Sequence, residues 1–323
     1  MKEVKITDIK GIKVGHAQNP EGGSGTTVIL CEDGMLASCE VRGGGPASVE
    51  TELLDPVKGN QGIHAVMLSG GSAFGLAARG GIMRYLEERG KGKNMRKGVV
   101  PIVPGACIFD LPIGDWNFRP GEEMGYQACL NATDGPVAEG NVGAGTGAVL
   151  GKMQGFENAM KGGLGHYALQ VGDVIVGAIV AVNAVGDVWD PETGKIVAGS
   201  LTEDKKGFRG LESLLEKFLI PAGGEGENTT IGCIVTNAKL TKAQCKKVAE
   251  VAHNGFARAI RPVHTFRDGD CIFAVTANEV EVTDVDAVAA LAAKVMERAV
   301  ISAAKHADAA YGLPCYKDFD WID

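Results

Sequence analysis

The sequence predicts a layered α/β protein in which helices cover the faces of a β-sheet sandwich. Two observations favour this fold class. Short apolar, β-branched runs typical of buried strands alternate along the chain with segments of helical periodicity. The two helices predicted near the C-terminus also carry wide apolar stripes, which must pack against other elements. Of the 323 residues, 45% are hydrophobic, enough for a sizeable core.

The elements of the first part of the chain follow from apolar runs and turn residues. Thr26–Cys31 and Met35–Arg42 are predicted to form an antiparallel pair, because a Glu-Asp-Gly turn sequence separates them. His64–Leu68 is a short apolar strand. The loop SGGSAFG then leads into a helix over Leu76–Arg89, with Gly90 as its C-cap.

The second part contains the most apolar strand, Val174–Asn183, whose β-branched composition indicates full burial. Two capping-box sequences, Thr241 to Gln244 and Thr283 to Asp286, predict the starts of two long helices. These helices are expected to end near Ala257 and Ala309. The remaining predicted elements are the strands Val99–Val103, Thr230–Thr236 and Ile272–Ala277 and the helices Glu122–Ala132 and Leu211–Leu219.

One segment resembles a linker, the run PAGGEGEN at residues 221–228. Only about 95 residues follow it, and their strands have the composition of fully buried strands. We therefore expect the C-terminal part to complete a shared core, and we predict a single domain over residues 1–323.

Charge and composition exclude several classes of partner. The net charge of −8 and the absence of a basic run argue against a nucleic-acid or anionic-membrane partner. The N-terminal segment lacks the apolar core of a signal peptide, and no segment has the ~20 apolar residues of a membrane span. The eight scattered cysteines form no Cys-x-x-Cys pair, which predicts buried thiols in a reducing, cytoplasmic compartment.

The six histidines show no metal-ligand spacing, so we predict no metal site. Glycine is unusually abundant, with 47 residues that cluster at element junctions. In SGGSAFG, the order strand, glycine loop, helix is that of an anion cradle, but the loop fits neither the dinucleotide nor the P-loop pattern. Gly70, Gly71 and Ser72 fit either close strand–helix packing or the wall of a site.

Two carboxylates precede the predicted strand Ile272–Ala277. Asp268 and Asp270 lie two residues apart in RDGD, so both side chains are expected to point to the same side of an extended chain. Asp-Gly is also common turn chemistry. The pattern therefore fits either a turn that begins a strand or a pair that orients a cationic or hydroxyl group.

The junction Asn228–Thr229 combines an accessible linker with a hydroxyl residue at the start of a buried strand. It fits a simple strand start. It also fits a cleavage site, because cutting there would give Thr229 a free α-amine with a pKa near ~7.7–8.0. Such an amine can act as the base for the hydroxyl of its own residue.

Motifs spread over nearly the whole chain resemble those of one family. They are VGHA at 14–17, VRGGGP at 41–46, LSGGSAFGLAARGGIMRYLEERG at 68–90, VPIVPGACIFDL at 100–111, GAGTGA at 143–148, NTTIGCIVTNA at 228–238 and HTFRDGDCIFA at 264–274. As an ordered set they resemble the DmpA-type aminopeptidases, which include L-aminopeptidase/D-esterases and β-peptidyl aminopeptidases. The nylon-oligomer hydrolases are a related branch.

The resemblance implies an αββα sandwich like that of the N-terminal-nucleophile hydrolases, with self-cleavage into an α chain, 1–228, and a β chain, 229–323. Thr229 would be the nucleophile, and Asn183 would donate its side-chain amide to the oxyanion. Asp268 and Asp270 would orient the Thr229 amine or hydroxyl. Lys152 matches a lysine near the nucleophile in the nylon branch, and it also fits a solvated surface lysine. Gly70, Gly71 and Ser72 would form a wall of the site.

This resemblance implies an aminopeptidase for small peptides, amides or esters, without a cofactor, assembled as a homo-oligomer of four or more processed units. Two other functions remain open. An acyltransferase of the ornithine acetyltransferase type would keep the nucleophile and change the acceptor. A ligand-binding protein without enzymatic activity would stay uncleaved and use the glycine loops as an anion site.

Overall fold

The architecture is an αββα sandwich, seen in a computed structural model that describes residues 1–211, 215 and 228–320. The strands are β1 Lys2–Glu3, β2 Lys13–Asn19, β3 Ser24–Val41, β4 Ser48–Val49, β5 Gly62–Ser69, β6 Lys93–Met95, β7 Gly98–Val100, β8 Gly105–Cys107, β9 Val149–Leu150, β10 Met160–Lys161, β11 Gly163–Val171, β12 Val174–Asn183, β13 Asp187–Asp190, β14 Lys195–Ala198, β15 Thr229–Ala238, β16 Ile260–Arg261 and β17 Cys271–Val280. The helices are α1 Ser72–Gly75, α2 Ala78–Glu88, α3 Glu122–Leu130, α4 Lys242–Ala259 and α5 Val285–His306.

The largest sheet contains ten strands and forms both β layers. Its order is β1-β11-β12-β15-β17-β3-β5-β8-β4, and β2 pairs with β3. The central β12–β15 pair is antiparallel, whereas β15 and β17 run parallel to each other. Parallel neighbours need a long crossover, and α4 supplies it between β15 and β17.

Alternation of side chains along the strands builds the layers. On β15, Ile231, Cys233 and Val235 face the core between the two β layers, whereas Ile234 packs with helices α4 and α5. Residues of β3 and β5 that point the other way pack against α2 and α3. A strand that is apolar on both faces needs cover on both sides, which explains why the strand sequences are apolar without alternation.

Most predicted elements are confirmed. Val174–Asn183 is a strand with the predicted limits, and the other buried strands differ by one to three residues at their ends. The capping box at Thr241 is present, with its hydroxyl accepting from the Gln244 N–H. Gly90 has the positive φ of +65° expected of a C-cap glycine. The eight cysteines are buried and unpaired.

Three predictions were wrong in detail. Glu-Asp-Gly is not a hairpin turn, because β3 runs through it as one strand from Ser24 to Val41. A register shift against β5 accommodates this segment, with Gly34 at a φ of +88°. The N-cap of α5 is Asp284, which accepts from the Asp286 N–H, and not Thr283. In the segment 99–103, strand structure ends at Val100.

Most of the predicted helix over Leu211–Leu219 and most of the linker 221–228 lie outside the described residues. Of the helices in the described ranges, none is long and apolar enough to cross a membrane.

Candidate active site

The predicted nucleophile lies at the first position of β15, where the sheet ladder places it beside Asn183. Thr229 and Asn183 are direct partners at the end of the β12–β15 pair. Thr229 is 4% exposed and Asn183 is fully buried. The apolar remainder of both strands packs into the two cores, so the end of the ladder is held rigidly.

The peptide bond in front of Thr229 is held by the loop that precedes β17. The carbonyl oxygen of Asn228 accepts from the Gly269 N–H at 2.9 Å, and the Asn228 N–H donates to the Arg267 carbonyl at 3.1 Å. The Thr229 hydroxyl donates to the same Asn228 carbonyl oxygen at 2.5 Å. This carbonyl is therefore polarised by a backbone donor, with a hydroxyl oxygen in immediate contact.

Gly269 can approach this closely because it has no side chain. A Cβ atom at this position would lie 2.8 Å from the Thr229 Oγ1 and 3.1 Å from its Cγ2. Because glycine has no side chain, its backbone N–H can reach the Asn228 carbonyl beside the Thr229 side chain.

Lys152 connects to Asn183 through two hydrogen bonds. Its Nζ donates at 3.0 Å both to the Asn183 main-chain oxygen and to its side-chain Oδ1. The Asn183 Oδ1 also accepts from the Val149 N–H, and its Nδ2 donates to the Phe109 carbonyl at 2.8 Å. An amide nitrogen carries two N–H donors, so the bond to Phe109 uses one of them.

Burial lowers the pKa of Lys152 to about 7, and the negative charges of Asp268 and Asp110 oppose part of this shift. An ammonium group loses its hydration when it is buried, which favours the neutral amine. Near neutral pH this lysine can therefore exist in a form that accepts a proton. The surface-lysine interpretation does not fit its partly buried position.

The two carboxylates of the RDGD loop have different partners. Asp270 Oδ1 accepts from the Thr230 N–H at 2.7 Å, directly after the nucleophile. Its Oδ2 accepts from the His264 N–H at 3.0 Å and lies 2.7 Å from the His264 Nδ1. Asp268 Oδ2 accepts from the Thr265 N–H at 2.6 Å. Among the described residues, the buried Asp268 Oδ1 has no hydrogen-bond partner.

Burial raises the pKa of Asp268, and the neighbouring Asp270 charge adds to the increase. Hydrogen bonds from Thr265 and the charge of Lys152 oppose it. Two carboxylates in one buried site repel each other, so the proton is retained more easily by the one with fewer donors. Asp268 is thus able to exchange a proton with a neighbouring group.

The glycine loop wraps around a third carboxylate, that of Asp110. Its Oδ1 accepts from the Gly71 N–H at 2.6 Å, and its Oδ2 accepts from the Ser24 hydroxyl at 2.7 Å. A Cβ on Gly70 would lie 2.0 Å from the Asp110 Oδ2. Burial raises the pKa of Asp110 to about 6. The glycine loop, Gly70, Gly71 and Ser72, is thus connected to the site indirectly. It contacts Asp110, and the carbonyl of the preceding residue, Phe109, accepts from Asn183.

Comparison with known proteins decides the family. The model of peptidase family S58 matches residues 4–314. The chain belongs to peptidase family S58. It is accordingly a hydrolase of the peptidase class. An uncharacterised aminopeptidase of Mycobacterium tuberculosis is 42% identical, with 97% of each chain covered. A 6-aminohexanoate-oligomer endohydrolase of Kocuria is 31% identical, covering 94% of this chain and 87% of that one.

Solved structures share the fold of this S58 chain. The L-aminopeptidase D-Ala-esterase/amidase of Ochrobactrum anthropi, described as a variant of the Ntn hydrolase fold, has a TM-score of 0.71 at 20% identity and covers 97% of this chain and 90% of its own. A Burkholderia β-aminopeptidase has a TM-score of 0.67 at 21% identity, covering 94% and 86%. The predicted sandwich of the N-terminal-nucleophile type is confirmed.

For this S58 chain, the structure brings together five of the residues singled out in the sequence: Thr229, Asn183, Lys152, Asp268 and Asp270. Sequence reasoning missed three groups around them, the Gly269 N–H, His264 and Asp110. The motif HTFRDGD contains the first two, but a backbone donor leaves no signature of its own in the sequence. Asp110 lies in an apolar motif, IFDL. It was missed because its contact with SGGS joins segments that are far apart in the sequence.

Proposed function

We propose that the chain is a self-processing amide hydrolase that cuts its own Asn228–Thr229 bond and then uses Thr229 as an N-terminal nucleophile. One observation carries the proposal. The Asn228 carbonyl accepts from the Gly269 N–H while the Thr229 hydroxyl lies against it, in a buried site. A donor already aimed at a carbonyl oxygen stabilises the negative charge that develops there during attack.

In the self-cleavage step, the Thr229 Oγ attacks the Asn228 carbonyl carbon and its proton passes to a base. The α-amine is not yet free at this stage, so another base is needed. Neutral Lys152 supplies it in this proposal, because its pKa is about 7 and its Nζ binds the strand partner of Thr229. The C–N bond then breaks, the Thr229 nitrogen takes a proton, and water hydrolyses the ester.

In the hydrolytic cycle, the freed α-amine of Thr229 acts as the base for the hydroxyl. The Thr229 Oγ attacks the carbonyl of a small peptide, amide or ester and forms an acyl-enzyme, while the substrate's C–N or C–O bond breaks and the amine or alcohol leaves with the proton that the α-amine took from the hydroxyl. Gly269 N–H and the second N–H of Asn183 donate to the oxyanion, and Asp268 exchanges a proton with the amine. Water releases the acid product and restores the hydroxyl.

The test compares two neighbouring threonines. Thr229→Val should abolish hydrolysis of a panel of aminoacyl p-nitroanilides and of 6-aminohexanoate oligomers. Thr230→Val is the matched control, because the Thr230 hydroxyl has no hydrogen-bond partner among the described residues. It should retain activity.

Two results would contradict the proposal. One is hydrolysis by Thr229→Val at the wild-type rate. The other is transfer of the acyl group to an added amine without any hydrolysis, which would assign an acyltransferase.

A further inference from the structure

A histidine and a carboxylate form an ordered contact directly behind the predicted nucleophile. The three described hydrogen bonds of the Asp270 carboxylate come from the Thr230 N–H on one oxygen and from the backbone and ring of His264 on the other. Asp270 is 1% exposed. Its orientation is therefore set by His264 on one side and by the start of β15 on the other.

His264 is itself held in place by packing and by its backbone. Its ring lies edge-on to the ring of His253, with centroids 4.8 Å apart, and His253 Nε2 lies 3.1 Å from the Glu40 carbonyl. The φ of His264 is +59°, a left-handed conformation that is uncommon outside glycine. Strained conformations of this kind persist where the surrounding contacts require them.

The ring environment also selects a tautomer. Nδ1 lies 2.7 Å from a carboxylate oxygen, which can only accept while it is ionised. His264 Nε2 is buried and has no hydrogen-bond partner among the described residues. A buried N–H without an acceptor is costly, so the proton belongs on Nδ1.

We propose that His264 is a positioning residue of the active site, whose Nδ1–H fixes the Asp270 carboxylate and, through it, the Thr230 N–H and the placement of Thr229. The inference rests on the proposed function, because a nucleophile must act at Thr229 for its placement to matter. Asp270 then serves as an anchor, and the carboxylate left to exchange protons with the Thr229 amine is Asp268.

The test separates the hydrogen bond from the packing of the ring. His264→Phe keeps an aromatic ring against His253 and removes Nδ1–H. We expect kcat of the processed enzyme on its best p-nitroanilide to fall roughly 10- to 100-fold, because small misplacements of reacting groups have effects of this size. KM should change by less than about twofold, since the substrate contacts are unchanged. His264→Asn, which offers an Nδ2 donor near the same place, should recover most of kcat.

His253→Phe is the control, because it makes the same ring replacement in the same stack without touching Asp270. Its kcat should stay near that of the wild type. The inference would be overturned if the two Phe variants lost kcat equally and also lost thermal midpoint equally, because His264 would then have only a structural role. Wild-type kcat in His264→Phe would do the same.

A spectroscopic measurement tests the contact without any turnover. In the Thr229→Ala chain labelled with ¹⁵N-histidine, two-bond ¹H–¹⁵N correlations should show His264 protonated on Nδ1, and Asp270→Asn should change this signal. Protonation on Nε2 would overturn the inference. If the wild type neither cleaves itself nor hydrolyses amides, the proposed function falls and this inference with it. If it is active and His264→Phe equals it, only this inference falls.

Discussion

The two ends of the β12–β15 ladder contain the same residue types and use them differently. At one end, the described hydrogen bonds of the Asn237 and Thr236 side chains all involve backbone groups: Asn237 bridges the Ile175 N–H and the Asp173 carbonyl, and the Thr236 hydroxyl donates to the Ile175 carbonyl. At the other end, Asn183 accepts from Lys152, and Asp268 bridges to Asn228, the residue before Thr229; both Lys152 and Asp268 can gain or lose a proton.

The two ends therefore differ in whether titratable groups lie close to the buried asparagine and threonine side chains. At the Asn237 end, the donors and acceptors satisfy the backbone where the ladder finishes, and the result is stability. At the Asn183 end lie a lysine with a pKa of about 7, which donates to Asn183, and a carboxylate with a raised pKa, which interacts with the charge of that lysine. Groups with shifted pKa values in one buried place are typical of a catalytic site.

The largest expected effect comes from exchanging the two asparagines for alanine. Asn183→Ala should lower kcat by about 10²–10³, or roughly 3–4 kcal/mol of barrier, because it removes the proposed oxyanion donor. Asn237→Ala should leave kcat nearly unchanged and lower the free energy of unfolding by about 1–3 kcal/mol, because the buried Ile175 N–H loses its acceptor. Steady-state kinetics and denaturant unfolding measure the two effects. Similar kinetics for both variants would contradict the distinction between the two ends.

A smaller effect on self-cleavage is expected from replacing a glycine by alanine near each end of the β12–β15 ladder. Gly269→Ala places a Cβ 2.8 Å from the Thr229 Oγ1, so the loop must move away from the Asn228 carbonyl. We expect self-cleavage to slow roughly 10- to 100-fold. Gly172→Ala, in the β11–β12 turn, meets no atom within 4 Å and has a φ of +58°. It should cost about 1 kcal/mol of stability and leave cleavage unchanged. The appearance of cleaved chain over time, followed by mass spectrometry, distinguishes them.

The smallest expected effect is a shift in the pH dependence of self-cleavage. The Lys152 amine is protonated below its pKa of about 7 and neutral above it, so the rate of self-cleavage should rise as the pH increases through about 7. The Asp110 charge raises the pKa of Lys152. Asp110→Asn should therefore lower that pKa and move the rise to a lower pH, by less than about one unit. A pH–rate profile with the same midpoint in Lys152→Met would contradict the assignment of the base.

The sequence predicted the layers well because apolar, β-branched runs and capping residues are local signals. Val174–Asn183 and the start of α4 at Thr241 are examples. The prediction from sequence was wrong at Glu-Asp-Gly. There, β3 stays extended through a turn sequence because it pairs with β5 on one edge and with β2 and β17 on the other. Tertiary pairing overrides local turn preference in such a strand.

Only part of the candidate site could be predicted from the sequence. Thr229, Asn183, Lys152, Asp268 and Asp270 were found through a family resemblance, and the structure brings them together. The Gly269 N–H could not be found in this way, because it is a backbone group whose role depends on the bridge between Asn228 and Asp268. The shifted pKa of Lys152 depends on burial by residues far away in sequence, which no local pattern encodes.

Self-cleavage at Thr229 is tested by the mass of the purified protein, measured by mass spectrometry without prior digestion. The 33.6 kDa chain should separate into two fragments, the smaller of about 10 kDa beginning Thr-Thr-Ile-Gly at Thr229. Thr229→Ala should remain one chain under the same conditions. A wild-type chain that stays intact after long incubation at pH 8, or a Thr229→Ala chain cut at the same bond, would contradict self-cleavage by Thr229.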